Sequence, residues 1–173
     1  NINMLKRAVF VIAQNDFHDT ELLVPKAVLD QRRIETKIAS KVLAAAHGKL
    51  GATIEPDLAL AQVRPNDFDA IIFVGGSGAC VYLDDEEVIK LVQAFQKANK
   101  ILAAICLGPS ILANAGALIS KTATATPSQE ENLKNKGAEY TGMPVEVDGL
   151  VVTAKGPQAA TEFGEKLAYL LED

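Results

Sequence analysis

The sequence predicts an α/β fold in which a doubly wound, mainly parallel sheet carries helices on both faces. Three observations lead there. Residues 8–13, 70–74 and Ile101–Ile105 form strand-length runs that are almost wholly apolar, without the polar alternation of a sheet that has one wet face. Segments with apolar residues at helical spacing lie between these runs. Strands and helices alternating in this way, joined by right-handed crossovers, bury both faces of a parallel sheet. A chain of 173 residues, 49% hydrophobic, is long enough for one well-buried core, and neither linker nor repeat interrupts it. One domain over 4–173 is expected, and Asn1 to Asn3, ahead of Met4, receive no structural role.

Taken in order, residues 8–13 are the first strand, and Leu22, Leu23, Ala27, Val28 and Leu29 mark the first helix. Residues 34–40 alternate and read as the second strand. The stretch 42–60, broken by Gly48, Gly51 and Pro56, reads as a β-ribbon excursion. The apolar strand 70–74 ends in Gly75-Gly76. Val88, Ile89, Leu91, Val92 and Phe95 then give a helix that Asp84 and Asp85 are placed to cap. The strand of Ile101–Ile105 ends on Cys106, and a short helix is expected over 111–118, with Gly108 and Pro109 between. A short strand at 122–126 follows, and Ser128-Gln-Glu-Glu131 has the pattern of a capping box opening a helix over 130–136. A late strand at 150–153 leads to a closing helix over 159–171, with Phe163, Leu167, Leu170 and Leu171 on one face.

Bulk properties exclude several functions. A formal net charge of −5 and no Lys/Arg cluster argue against nucleic acid as a partner. The longest apolar stretches are strand-sized, short of the roughly 20 residues that cross a bilayer, so no membrane association is expected. Two cysteines without a secretory signal point to a reducing, cytoplasmic setting. The histidines, cysteines and carboxylates show no ligand spacing, so neither metal nor cofactor is expected.

Cys106 is the residue on which a functional reading turns. It follows a buried strand and precedes a helix, a sharp turn that lifts the side chain towards the carboxyl end of the sheet and towards free helical N–H groups, an environment expected to favour the thiolate. Core packing is the alternative, because cysteine is among the residues most often buried. In a parallel sheet the strand ends share one edge, so Gly76 N–H and Leu107 N–H are candidates for an oxyanion hole; Gly75-Gly76 is equally readable as a plain turn. Glu21 opens the first helix. It either favours the helix dipole or, if its loop lies beside the elbow, donates a hydrogen bond from its protonated carboxyl to the sulfur.

A-I-C-L-G-P around Cys106, the Gly75-Gly76 pair, D-T-E-L holding Glu21, and V-D-G-L-V-V-T-A-K-G-P from Val147 to Pro157 together resemble the DJ/PfpI superfamily of the class I glutamine-amidotransferase-like folds, over nearly the whole chain. The resemblance implies a flavodoxin-like sandwich, a homodimer, Cys106 as reactive thiol and Glu21 as its acid. It links the site to glyoxalase or deglycase activity on small carbonyl or glycated substrates, to peptidase activity, and to oxidative-stress sensing. Two departures weigh against the peptidase. Leu107 stands where PfpI-type members carry histidine, and Thr126 stands where deglycase-type members bring one.

Only two histidines are present. His47 falls in the ribbon excursion as an exposed residue, and His18, three residues before Glu21, either enters the pocket from its rim or is a solvated loop residue. Cys80 reads as a packing residue or as a second thiol. The expected activity is therefore carbonyl addition at Cys106 with Glu21 moving the proton, and sensing through oxidation of Cys106 is the second expectation.

Overall fold

The structure, a computed structural model, describes residues 4–172, and Asn1 to Asn3 lie outside it. β1 (Arg7–Val11) runs through the middle of the molecule. A three-residue strand absent from the sequence reading, β2 (Asn15–Phe17), precedes α1 (Asp19–Gln31). β3 (Glu35–Ser40) then pairs parallel to β1, with Val11 opposite Ala39. The expected ribbon is confined to β4 (Ala46–Gly48) and β5 (Thr53–Ile54), which pair antiparallel and join β2 in a small sheet. β6 (Leu58–Ala59) belongs instead to the main sheet as an edge strand.

β7 (Ala70–Phe73), α2 (Glu86–Lys97) and β8 (Ile101–Ile105) fall where expected. Asp85 is the residue that caps α2, its carboxylate accepting the N–H of Glu87 at 2.9 Å. α3 (Pro109–Asn114) begins earlier and ends sooner than expected. Gly116, at φ +82°, stops it: the Gly116 and Ala117 N–H groups fold back onto the Ala113 and Leu112 carbonyls in a Schellman motif.

The strand expected at 122–126 contracts to β9 (Thr122–Ala123). Beyond it, α4 (Glu130–Asn135) forms without the capping box. Pro127 sets a 3-10 turn that makes Gln129 the cap position, and the Gln129 side chain turns away to accept from Ser110 Oγ at 2.6 Å. β10 (Glu139–Tyr140) pairs with β9 outside the main sheet. β11 (Val145–Asp148), also absent from the sequence reading, lies antiparallel to β12 (Val151–Ala154). The closing helix α5 (Ala160–Glu172) buries Phe163, Leu167 and Leu171, with Leu170 only partly covered.

The main sheet has the order β11-β12-β8-β7-β1-β3-β6 and is parallel except for β11. Successive residues of a strand point to opposite faces, so the core has two layers. Val9, Ile71, Phe73 and Leu102 meet Val88, Val92 and Phe95 of α2 on one face. Phe10, Ile72, Ala103 and Val152 meet Leu22 and Leu29 of α1 and Phe163 and Leu167 of α5 on the other. Burying each such side chain contributes roughly 1.5–3 kcal/mol. The α1–α5 contact is close: a Cβ at Gly164 would stand 3.0 Å from Pro25 Cα. Pro25 lies inside α1 and has no N–H to offer the Glu21 carbonyl one turn back.

Candidate active site

The end of β8 sets the site. Cys106 has φ +65°, in the left-handed region that residues with a Cβ seldom occupy, at a cost on the order of 1–3 kcal/mol. Two hydrogen bonds hold it there: Cys106 N–H donates to the Ala154 carbonyl at 2.9 Å, and Thr126 N–H donates to the Cys106 carbonyl at 3.0 Å. The sharp elbow expected from the sequence is present, and Cys106 is partly exposed rather than sealed in the core.

Glu21 comes from the first turn of α1, and its side chain is fully buried. Gly75 is the narrow spacer between it and the elbow. A Cβ there would lie 2.5 Å from Glu21 Oε1, 2.6 Å from the Ile105 carbonyl oxygen and 2.8 Å from Cys106 Cβ. The carboxyl and the thiol thus face each other over a glycine, although neither Glu21 oxygen has a hydrogen bond of full geometry. The N–H of Gly76, at φ +97°, and the Thr126 hydroxyl are the donors that act on the sulfur. Leu107 N–H donates to no backbone or side-chain acceptor among the described residues, and the Leu107 side chain packs against the α2 side of the core.

The electrostatics correct one expectation. Burial, opposed by the Cys106 thiol and the Gly75 N–H, pushes the Glu21 carboxyl up to about 7. Burial and then the facing Glu21 push the Cys106 thiol up to about 11, against the Gly76 N–H and the Thr126 hydroxyl, which pull it down. The helix expected to favour the thiolate is six residues long, too short to outweigh burial beside a carboxylate.

The thiol opens into a cleft of about 530 Å³, lined also by Thr126, Pro127, Pro144, Lys155 and Glu162. Gly75 and Gly76 are buried and are not among the residues lining the cleft. His18 does not enter it. Its backbone N–H donates to the Gly75 carbonyl at 3.0 Å, while its ring sits near Lys49, where burial and then that ammonium lower its proton affinity. His47 is exposed on β4. Cys80 is exposed, which removes the packing reading. Among the described residues no group of three or more His, Cys, Asp or Glu side chains is arranged to hold a metal ion.

Sequence reasoning missed Asp19, Lys155 and the carbonyl of Ala154. Asp19, buried beside Glu21, accepts the N–H groups of Leu50 at 2.9 Å and Ala52 at 2.8 Å and so ties the ribbon to the head of α1. Lys155 and Ala154 had a readable signal, because a late strand neighbouring β8 must bring its last residues alongside the cysteine.

The chain is 40% identical over 169 residues to an uncharacterized protein of Methanocaldococcus jannaschii, covering 96% of this chain and 82% of that protein. It is 32% identical over 149 residues to a deglycase of Thermococcus kodakarensis, covering 86% of this chain and 90% of the relative. In three dimensions it is similar to the crystal structure of a ThiJ/PfpI domain protein from Brachyspira murdochii, with a TM-score of 0.94, 30% identity and 98% of each chain covered. A model of the DJ-1/PfpI family matches residues 6–170, the span that holds α1, the elbow and the strand beside it, and the chain belongs to that family.

Proposed function

We propose that the protein is a cysteine-dependent enzyme acting on small carbonyl compounds, a glyoxalase- or deglycase-like activity in which Cys106 is the nucleophile and Glu21 its proton partner. The observation that carries this reading is the buried Glu21 carboxyl facing the Cys106 thiol across Gly75. A carboxyl with a proton affinity near neutrality both takes and returns a proton at working pH. In the addition step the Cys106 sulfur bonds to the carbonyl carbon and the carbonyl π pair moves onto oxygen. The thiol proton passes through Glu21 to that oxygen, while Gly76 N–H and Leu107 N–H are the donors for the developing oxyanion. The likeness to a relative called a deglycase supports the same chemistry.

Neither histidine reaches the cleft, so turnover is slow and the alternative of a PfpI-type peptidase is disfavoured. The reading includes a homodimer in the cytoplasm, which sedimentation and fractionation test. Its direct test is consumption of methylglyoxal by purified protein. Loss of that consumption in Cys106→Ala supports the reading, and equal consumption by the variant overturns it.

A second reading is an oxidative-stress sensor working through Cys106. It is favoured by the Gly76 N–H and Thr126 hydroxyl that act on the sulfur, which are donors for the oxygens of a sulfinate. Intact mass spectrometry after mild peroxide decides it. Selective oxygen addition at Cys106 over the exposed Cys80 supports sensing, and preferential oxidation of Cys80 refutes it.

A further inference from the structure

The cleft over Cys106 contains a cation that the addition chemistry leaves unused. β12 runs parallel to β8 with Ala154 opposite Ile105, and the Ala154 carbonyl receives the Cys106 N–H. Lys155 is therefore the residue alongside the nucleophile, on the neighbouring strand end. It is half-buried and lines the cleft. Its ammonium forms no ion pair with a described carboxylate. A cation in the same cleft as the nucleophile, not bound to the described carboxylates, is available to a ligand.

We propose that Lys155 docks the carboxylate of a small 2-oxo acid or aldehydic acid while its carbonyl carbon meets the Cys106 sulfur, so that anionic carbonyl compounds are preferred over neutral dicarbonyls. The proposal rests on the reading of Cys106 as a carbonyl-addition nucleophile. In such a compound the carboxylate and the carbonyl sit on neighbouring carbons, and the two groups that receive them sit on neighbouring strand ends. Lysine acts here as a flexible point charge on a four-carbon stem, suited to a small ligand of variable pose. Glu162, exposed and also lining the cleft, repels an anion and so favours its seating on Lys155. The step is the addition described above: a sulfur–carbon bond forms, the carbonyl oxygen receives the thiol proton, and no further reactant is consumed.

Alkylation of the two cysteines by a matched pair of reagents, anionic iodoacetate and neutral iodoacetamide, tests the docking without needing turnover. Each reaction forms the same sulfur–carbon bond and expels iodide, and Cys80 on the open surface is the internal reference. The iodoacetate-to-iodoacetamide rate ratio at Cys106 exceeds that at Cys80 by about fivefold, the scale of one partly solvated ion pair. Lys155→Met brings the ratio down to the Cys80 value, Lys155→Arg keeps it, and Glu162→Gln raises it. A Cys106 ratio no greater than that of Cys80, or one that Lys155→Met leaves in place, overturns the proposal whatever the turnover. Should Cys106 resist both reagents, calorimetric titration with oxamate decides instead, with binding lost in Lys155→Met as the supporting result and its absence in the unaltered protein as the overturning one. If neither methylglyoxal nor glyoxylate is consumed while the ratio behaves as described, the carbonyl-enzyme reading falls and the anion site stands.

Discussion

Glu21 and Cys106 face each other with only the hydrogen of Gly75 for packing between them. Two acidic groups so placed in a buried position do not titrate independently. The first proton leaves the pair near neutrality and the second only in strongly alkaline solution, in keeping with the values of about 7 and about 11.

The raised Glu21 affinity has a sign that stability measurements read. A carboxyl held above its unfolded value of 4.5 stabilises the fold fully below that pH, and the contribution is lost as pH rises through about 7. Glu21→Gln removes the loss. The variant matches the parent near pH 4 in urea unfolding and exceeds it at pH 8 by on the order of 3 kcal/mol, the free energy of a shift of that size. Equal stability of the two proteins at pH 8 contradicts the assignment.

Gly75→Ala puts a methyl group against Glu21 Oε1, the Ile105 carbonyl and Cys106 Cβ at once. Two of these neighbours are fixed by the sheet and the elbow. The substitution costs at least about 1–3 kcal/mol as an overpacked position and prises the carboxyl from the thiol. Thermal unfolding and the pH profile of Cys106 alkylation are the measurements, and a variant with the parent's profile argues that the two groups are not coupled.

Asp19 governs the ribbon. Replacing it with alanine strips the acceptor from the Leu50 and Ala52 N–H groups. Faster amide exchange confined to residues 46–54 is expected, with a loss of roughly 1–3 kcal/mol. Unchanged exchange there shows that the ribbon is held by its own pairing.

Ser110 ties the elbow helix to the segment that follows Thr126. Its buried hydroxyl donates to Gln129 and accepts from Asn132 Nδ2 at 3.1 Å, and Asn132 also donates to Asn114 at 3.0 Å. Ser110→Ala leaves the partly buried Gln129 side-chain oxygen without its donor and Asn132 with only Asn114, and costs on the order of 1–3 kcal/mol. Calorimetric melting reports it, and a neutral result means that water replaces the hydroxyl.

What the sequence showed depended on how completely a segment was buried. Ile101–Ile105 and Ala70–Phe73 were legible because every side chain is enclosed, and such runs leave no other reading. Val145–Asp148 was not, because its side chains are half-covered on an outer strand and V-E-V-D carries little pattern. The Ser128–Glu131 motif misled because the 3-10 turn at Pro127–Gln129 moves the cap position to Gln129, whose side chain is drawn to Ser110 instead. At the site, the elbow and Glu21 were readable from residue types. The proton affinity of Cys106 was not, since it depends on burial and on a carboxyl delivered from a distant part of the chain.

The hydrogen bond from Cys106 N–H to the Ala154 carbonyl makes the site depend on a strand that comes late in the chain. Glu21, Gly75 and Cys106 all emerge from the ribosome before β12 exists, and until Val151–Ala154 docks beside β8 the amide at the elbow has no acceptor. A nascent or truncated chain ending short of Ala154 therefore carries the thiol and the acid but not the rung that fixes their geometry. The geometry of the reactive centre is complete only once the closing strand has paired with β8.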